Sequence, residues 1–220
     1  MIQLLPTSDG STTLFNDELN ETYHSTHGAL QESMHVFIEN GLRKRKSKDG
    51  HFRILEVGFG TGLNALLALR ETQQEPNLHI DYVSLEPYPL QEEIFTQLNY
   101  AKGEELDSFL AMHRAPVNQR IQLSSAFSFT RSSEGIATYN DEALFDIVFY
   151  DAFGPPTQPE LWTTDVLKCS VDLLKEKGIW VTYCSKGDVR RSLISLGMEM
   201  QRLDGPPGKR HMLFGVKASG

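Results

Sequence analysis

The chain has 220 residues, 40% of them hydrophobic, with 21 Lys and Arg against 29 Asp and Glu and a formal net charge of −8 at pH 7. That length suits one α/β domain with a full core, and the acidic balance argues against a uniformly basic nucleic-acid binder while leaving room for a local basic face. No apolar stretch approaches the ~18 residues that span a bilayer, and the N-terminus has no basic segment leading into an apolar one, so a cytoplasmic protein is expected. Cys169 and Cys184 offer neither a metal spacing nor a disulfide framework, and no metal is expected.

Residues 1–30 are polar and turn-rich, with a turn signal at Asp9 and Gly10. Residues 29–42 read as one amphipathic helix, with Leu30, Met34, Phe37 and Ile38 on one side. Between them Tyr23, His24, His27, Glu32 and His35 are either hydrogen-bonded cap and surface residues or part of a site. The only dense basic run, residues 43–48, is a solvated loop or a phosphate-binding patch.

The most informative stretch is Arg53-Ile-Leu-Glu-Val-Gly-Phe-Gly-Thr-Gly-Leu-Asn64. An apolar strand at 54–57 runs into Gly58, Gly60 and Gly62 and then into a helix of strong helix formers. This order sets a helix N-terminus, with free N–H groups, over the end of the strand, which suits an anionic or polar ligand. The spacing is not the G-x-G-x-x-G of dinucleotide folds. Glu56 followed by G-x-G-x-G resembles the first motif of class I S-adenosylmethionine (SAM) methyltransferases. Residues 78–85 read as the second strand, and Glu86 at its end is placed to accept hydrogen bonds from ribose hydroxyls. Residues 90–115 have a helical pattern, 121–123 a short third strand, and 131–141 a polar loop. A buried parallel-type strand at 147–150 carries Asp151 at its carboxyl end, where open α/β sheets place ligands. Pro155, Pro156 and Pro159 then stiffen a loop bearing Phe153 and Trp162, which reads as a substrate wall. A helix at 165–175, a strand at 178–184, a helix at 186–196, and strands at 198–203 and 210–216 complete the pattern.

Several blocks resemble the MnmC methyltransferase family more closely than the wider superfamily. They are the stretch 55–64, Tyr150-Asp-Ala-Phe-Gly-Pro155 with Pro159-Glu-Leu-Trp162, Ser185-Lys-Gly-Asp-Val-Arg-Arg191, Gly205-Pro-Pro-Gly-Lys-Arg-His-Met212, and Tyr23-His-Ser25 with Gly28, Glu32, Val36 and Phe37. The resemblance implies a Rossmann-like α/β fold with a mostly parallel seven-stranded sheet, an antiparallel last strand and helices on both faces. It divides the chain into an N-terminal extension and helix over 1–50, on the substrate side, and a methyltransferase domain over 51–220. It implies SAM-dependent N-methylation of 5-aminomethyl-(2-thio)uridine at the tRNA wobble position, with the anticodon stem-loop as partner. The chain is similar to the stand-alone methyltransferase form, functionally coupled to a separate flavin-dependent tRNA-modification enzyme.

On that reading Glu56, Gly58, Gly60, Gly62, Asn64, Glu86 and Asp151 hold the cofactor. Ser125 stands in for the acidic residue that such folds place after the third strand to meet adenine. Asp151 and Glu32 are the catalytic candidates. Tyr23, His24, Phe153, Pro155, Trp162, Lys186, Arg190, Lys209 and Arg210 are expected on the substrate side. A SAM-dependent enzyme acting on a small-molecule or protein amine, and a non-catalytic SAM-binding partner subunit, are the alternatives.

Overall fold

The computed structural model describes residues 1–45 and 50–219. The chain opens with structure where a polar lead-in is expected, an antiparallel sheet of β1 (Ile2–Pro6), β2 (Thr12–Asn16) and β3 (Glu21–Thr22). Asp9 and Gly10 do form the turn between β1 and β2, Gly10 with φ +84°. The expected single helix over 29–42 divides into α1 (Ala29–Ser33), a π-helical turn over Met34–Glu39 and a 3-10 turn over Leu42–Lys44. The widened turn is closed by the Asn40 N–H donating to the His35 carbonyl at 3.2 Å. Val36, Phe37 and Ile38 are buried as the periodicity demands, and Phe37 packs on Phe149 at 5.2 Å between ring centroids.

The remainder alternates strands and helices: β4 (His51–Val57), α2 (Leu63–Gln74), β5 (His79–Leu85), α3 (Glu92–Phe95), α4 (Glu104–Arg114), β6 (Arg120–Ser124), β7 (Phe127–Ser132), β8 (Phe145–Tyr150), α5 (Thr164–Asp172), β9 (Leu174–Thr182), α6 (Gly187–Ser195), β10 (Met198–Asp204) and β11 (His211–Lys217). The strands order as β10-β11-β9-β8-β4-β5-β7-β6. From β7 to β9 the neighbours are parallel, and β11 runs antiparallel between β9 and β10. The mostly parallel sheet with an antiparallel last strand is therefore present, with eight strands rather than seven.

The extra strand exposes a misreading. Residues 121–123 belong to β6, an antiparallel edge strand, and the true third parallel strand is β7. Its polar residues hide it, because they are buried with partners: Ser128 Oγ donates to Asp81 Oδ1 at 2.6 Å. The helical pattern at 90–115 is likewise two helices, and β9 begins at Leu174 rather than 178.

All six residues of β8 are buried, because both faces of a parallel sheet are covered. Ile147 and Phe149 face the apolar cluster under α2 and α4, while Val148 and Tyr150 face the one under α5 and α6. Among the described residues no helix is long and apolar enough to cross a membrane. The N-terminal sheet is tied to α1 by Asp9, whose carboxylate accepts from Thr7 Oγ1 at 2.7 Å, Ser11 N at 3.0 Å and Gln31 N at 3.0 Å. Burial pushes this carboxyl up, but hydrogen bonds from Ser11, Gln31 and Thr7 outweigh it and hold it below its ordinary value.

Asp9→Ala removes these charge-assisted bonds together and should cost about 1–3 kcal/mol. Because the folded-state pKa is depressed, the contribution is present above the unfolded value and fades as pH falls below it. Hydrogen exchange should show the loss first at residues 1–30, with the amides of β4 and β8 retaining their protection.

Candidate active site

The ends of β4, β5 and β8 place the site. Gly58, following β4, has φ +92°, and an added Cβ would lie 2.8 Å from the Asp151 carbonyl. Only glycine lets the β8 end come this close. The Gly58 N–H donates to the Leu85 carbonyl at 3.0 Å and the Asp151 N–H to the Val57 carbonyl at 2.9 Å, locking the three strand ends together. Gly60 has φ +51°, and a Cβ there would sit 3.1 Å from the Tyr23 ring, so the N-terminal extension lies directly over the glycine turn. Gly62 leads into α2.

Thr61, inside that turn, is held from both sides. Its hydroxyl shares a 2.6 Å hydrogen bond with His24 Nε2, and its carbonyl accepts from His113 Nε2 at 3.1 Å. Burial pushes both imidazoles down to about 4, so each is neutral at pH 7.

Four acidic residues surround the turn in different states. Glu56 is completely buried on the α2 side of the sheet; Ser84 Oγ donates to its Oε2 at 2.6 Å and Asn64 Nδ2 to its Oε1 at 3.1 Å. Burial pushes it up to about 8. Asn64 Nδ2 also donates to Asp151 Oδ2 at 2.8 Å. Burial, with Glu56 and Glu32 nearby, pushes the Asp151 carboxyl well above the usual range. Glu86 is half-buried at the end of β5, accepting from the N–H groups of Gly60 at 2.8 Å and Tyr88 at 2.9 Å, and burial raises it too. Glu32 is only 4% exposed, with one oxygen taken by the Ser25 N–H and the other by Lys209 Nζ.

Beyond Asp151 opens a cavity of about 460 Å³, lined by Tyr23, His24, Glu32, Asp151, Pro155, Tyr183, Lys186 and Lys209 among others. Phe153 stands edge-on to Tyr23 at 4.9 Å. Lys209 Nζ lies 3.8 Å above the Tyr183 ring, and the Tyr183 hydroxyl donates to the Ala152 carbonyl at 2.9 Å. Glu32 is thus a brace between α1 and the β10–β11 turn rather than a free base.

Other expected site residues lie elsewhere. Trp162 is buried: its indole N–H donates to the Phe153 carbonyl at 2.7 Å and its ring packs on Tyr150 at 5.0 Å, so it shapes the loop from behind instead of walling the cavity. Ser125 sits in the β6–β7 turn at the opposite, amino edge of the sheet, where Ile80 N bonds the Ala126 carbonyl. An acidic residue does follow the third parallel strand: Glu134 is exposed just past β7. Arg190 leans against the Met200 carbonyl at 3.5 Å, and Arg210 is exposed; neither lines the cavity. In the basic run, Arg43 makes a bidentate pair with Glu71 at 2.7 and 2.8 Å, and Arg45 reaches the Lys177 carbonyl at 3.0 Å near the start of β9, away from the cavity. Lys46 and Lys48 lie outside the described residues. The described part of the run, residues 43–45, therefore lies apart from the cavity that Lys209 lines. Tyr183 and Thr61 were missed, although an aromatic residue just beyond a parallel strand is a legible signal.

Residues 96–218, more than half of the chain, match the S-adenosyl-L-methionine-dependent methyltransferase family. The crystal structure of MnmC2 from Aquifex aeolicus superposes with a TM-score of 0.83 at 30% identity, covering 100% of this chain and 71% of that one. The chain belongs to the MnmC-like S-adenosyl-L-methionine-dependent methyltransferases. Curated relatives are the tRNA 5-methylaminomethyl-2-thiouridine biosynthesis bifunctional proteins MnmC of Paraburkholderia phymatum, 30% identical over 92% of this chain, and of Aromatoleum aromaticum, 32% identical over 95%. This methyltransferase spans about a third of their length, 33% and 34%.

The site fits SAM on its own evidence. Asn64 Oδ1 is buried with no hydrogen-bond partner among the described residues, an acceptor awaiting a donor such as the cofactor's ammonium group. The glycine turn beside it leads into the N-terminus of α2, with Tyr23 over Gly60.

Gly60→Val should abolish SAM binding in calorimetry, because the branched side chain enters the space between turn and Tyr23 and forces a strained φ. Normal SAM affinity in a folded variant removes the turn from the cofactor site. The two histidines predict acid sensitivity. Their folded pKa values lie below the unfolded one, so the unfolded chain binds more protons between about 6.5 and 4 and stability falls across that window as pH decreases. Melting temperatures from pH 8 to 4 should fall more shallowly for His24→Gln than for wild type.

Proposed function

We propose that this chain methylates the amine of 5-aminomethyl-(2-thio)uridine at the tRNA wobble position, giving the 5-methylaminomethyl base. The observation that carries the reading is Asp151. Its backbone carbonyl packs on Gly58 of the glycine turn, its carboxyl group accepts from Asn64, and the residue lines the cavity. The names of the curated relatives, which make tRNA 5-methylaminomethyl-2-thiouridine, supply the substrate class.

The glycine turn, Asn64 and Glu86 would hold SAM, whose sulfonium would supply an electrophilic methyl group. Glu134, the exposed acidic residue just past β7, would be the candidate for the adenine amino group. The chain's own task is to present a neutral amine in line with that methyl. An alkylamine is mostly protonated near pH 7 and unreactive in that form. Asp151, with its proton affinity raised by burial, accepts a hydrogen bond from the nitrogen and suits removal of its proton. Fixed alignment within the cavity lowers the entropic part of the barrier. The rings of Tyr23 and Tyr183 offer apolar edges and faces for a base turned out of the anticodon loop, with Phe153 packed edge-on against Tyr23 outside the cavity lining. Exposed Lys186 at the rim is free to meet an anticodon phosphate.

Residues 1–50 act as the substrate-side extension, contributing Tyr23, His24 and Glu32, while 51–220 carry the cofactor. Such an enzyme works in the cytoplasm, alongside a separate flavin-dependent enzyme of the same tRNA modification.

Asp151→Asn keeps the shape of the side chain and one acceptor oxygen but loses the charge. Turnover on aminomethyl-uridine tRNA should fall by about two orders of magnitude or more, with SAM affinity much less affected. Mass spectrometry of wobble nucleosides is the assay. Full methylation by the variant assigns the role elsewhere, and methylation of free amines but not of tRNA points to a small-molecule enzyme.

A further inference from the structure

Glu56, Asn64 and Asp151 are linked through the Asn64 amide nitrogen, the end of that side chain not assigned to the cofactor above. One Asn64 amide nitrogen donates to Glu56 Oε1 at 3.1 Å and to Asp151 Oδ2 at 2.8 Å. Two oxygens sharing one donor nitrogen lie no more than about 6 Å apart. Glu56 has no exposure to solvent, and its remaining oxygen is occupied by Ser84. Its carboxyl group is therefore aimed not at a ligand but at the residue that holds Asp151.

We propose that Glu56 and Asn64 are positioning residues for Asp151: the Asn64 amide fixes the Asp151 oxygen at the mouth of the cavity, and the buried Glu56 behind it makes the two carboxyl groups titrate as one coupled pair. The proposal rests on the methyltransferase reading of Asp151 and deepens it.

The physical ground is that two carboxyls this close, in a buried site, do not both ionise readily. The other groups facing Asp151 divide in sign. Glu32 from α1 adds to the repulsion, Lys209 from the β10–β11 turn opposes it, and the Tyr82 and Tyr183 hydroxyls are neutral at physiological pH. Tyr82 and Glu86, both from β5, also face Glu56. Burial is the first cause of the upward shift of both groups; Glu56 and Glu32 add to it at Asp151, and Glu86 adds to it at Glu56. A base that keeps its proton affinity near neutral pH is matched to taking a proton from an amine.

The test needs no acceptor, so it stays informative if the tRNA reading fails. Infrared pH titration of the carboxylic-acid C=O band of the full-length protein should show a buried protonated carboxyl persisting at pH 7. In Asp151→Asn the remaining Glu56 band should titrate lower by about one pH unit or more, and Glu56→Gln should lower the Asp151 band likewise, because coupling is reciprocal. Should Glu56→Gln fail to fold, the Asp151→Asn arm measures the same coupling. With acceptor tRNA, the acidic limb of kcat/KM in Glu56→Gln should move down by a similar amount, and Asn64→Ala should lower kcat more than it changes the KM for tRNA. Unmoved bands in the variants, or a uniform rate loss with an unshifted acidic limb, overturn the proposal.

Discussion

The site depends on the absence of a side chain at Gly58. A Cβ there would lie 2.8 Å from the Asp151 carbonyl, so any other residue would push apart the ends of β4 and β8, which run in parallel register from Ile54 opposite Ile147 to Val57 opposite Tyr150. That contact fixes the distance between the glycine turn and the acidic residue facing the cavity. In an in-line transfer this is the separation that matters, and an error near 1 Å would be costly. The buried strands behind it supply rigidity, since β8 is wrapped on both faces and cannot shift without opening two apolar layers.

The second structural idea is that the cavity is closed by a segment outside the alternating β/α frame. Tyr23 lies on Gly60, His24 bonds Thr61, and Glu32 pairs with Lys209, a residue 177 positions away. Each contact joins the first thirty or so residues to a different part of the sheet edge. In the Glu32–Lys209 pair the carboxylate is buried and the partly exposed Lys209 amine lies against the Tyr183 ring, so the pair shapes the wall of the cavity as well as tying the fold. Breaking one partner would leave an uncompensated charge beside Asp151.

Electrostatically the edge is unusual for an acidic protein that is read as binding RNA. Carboxyls are concentrated beneath and inside the site, and burial with shared hydrogen bonds holds much of that charge in protonated or paired form. Arg43, Arg45 and Arg53 are committed to carboxylates elsewhere in the fold. The cavity-lining lysines are Lys186 and Lys209, of which Lys209 is paired. Recognition by shape and stacking at a single turned-out base suits such a surface better than a broad phosphate-binding face.

Sequence alone determined the parts governed by local rules. The apolar strand, the glycine turn and the helix after it are visible because turn geometry demands glycine and the strand demands apolar residues. Asp151 and Glu86 were legible for a related reason, since the carboxyl ends of parallel strands collect ligand-binding groups. Tertiary structure decided what depends on partners distant in the chain. β7 escaped notice because Ser128 is polar yet buried through a bond to Asp81, and Ser125 was consequently placed at the wrong edge. Trp162 looked like a cavity wall until its indole N–H was found turned back to the Phe153 carbonyl. Glu32 looked like a base until Ser25 and Lys209 were found on its two oxygens. No periodicity encodes these outcomes, because whether a polar side chain is free or occupied is settled by groups that only folding brings within 3 Å or so.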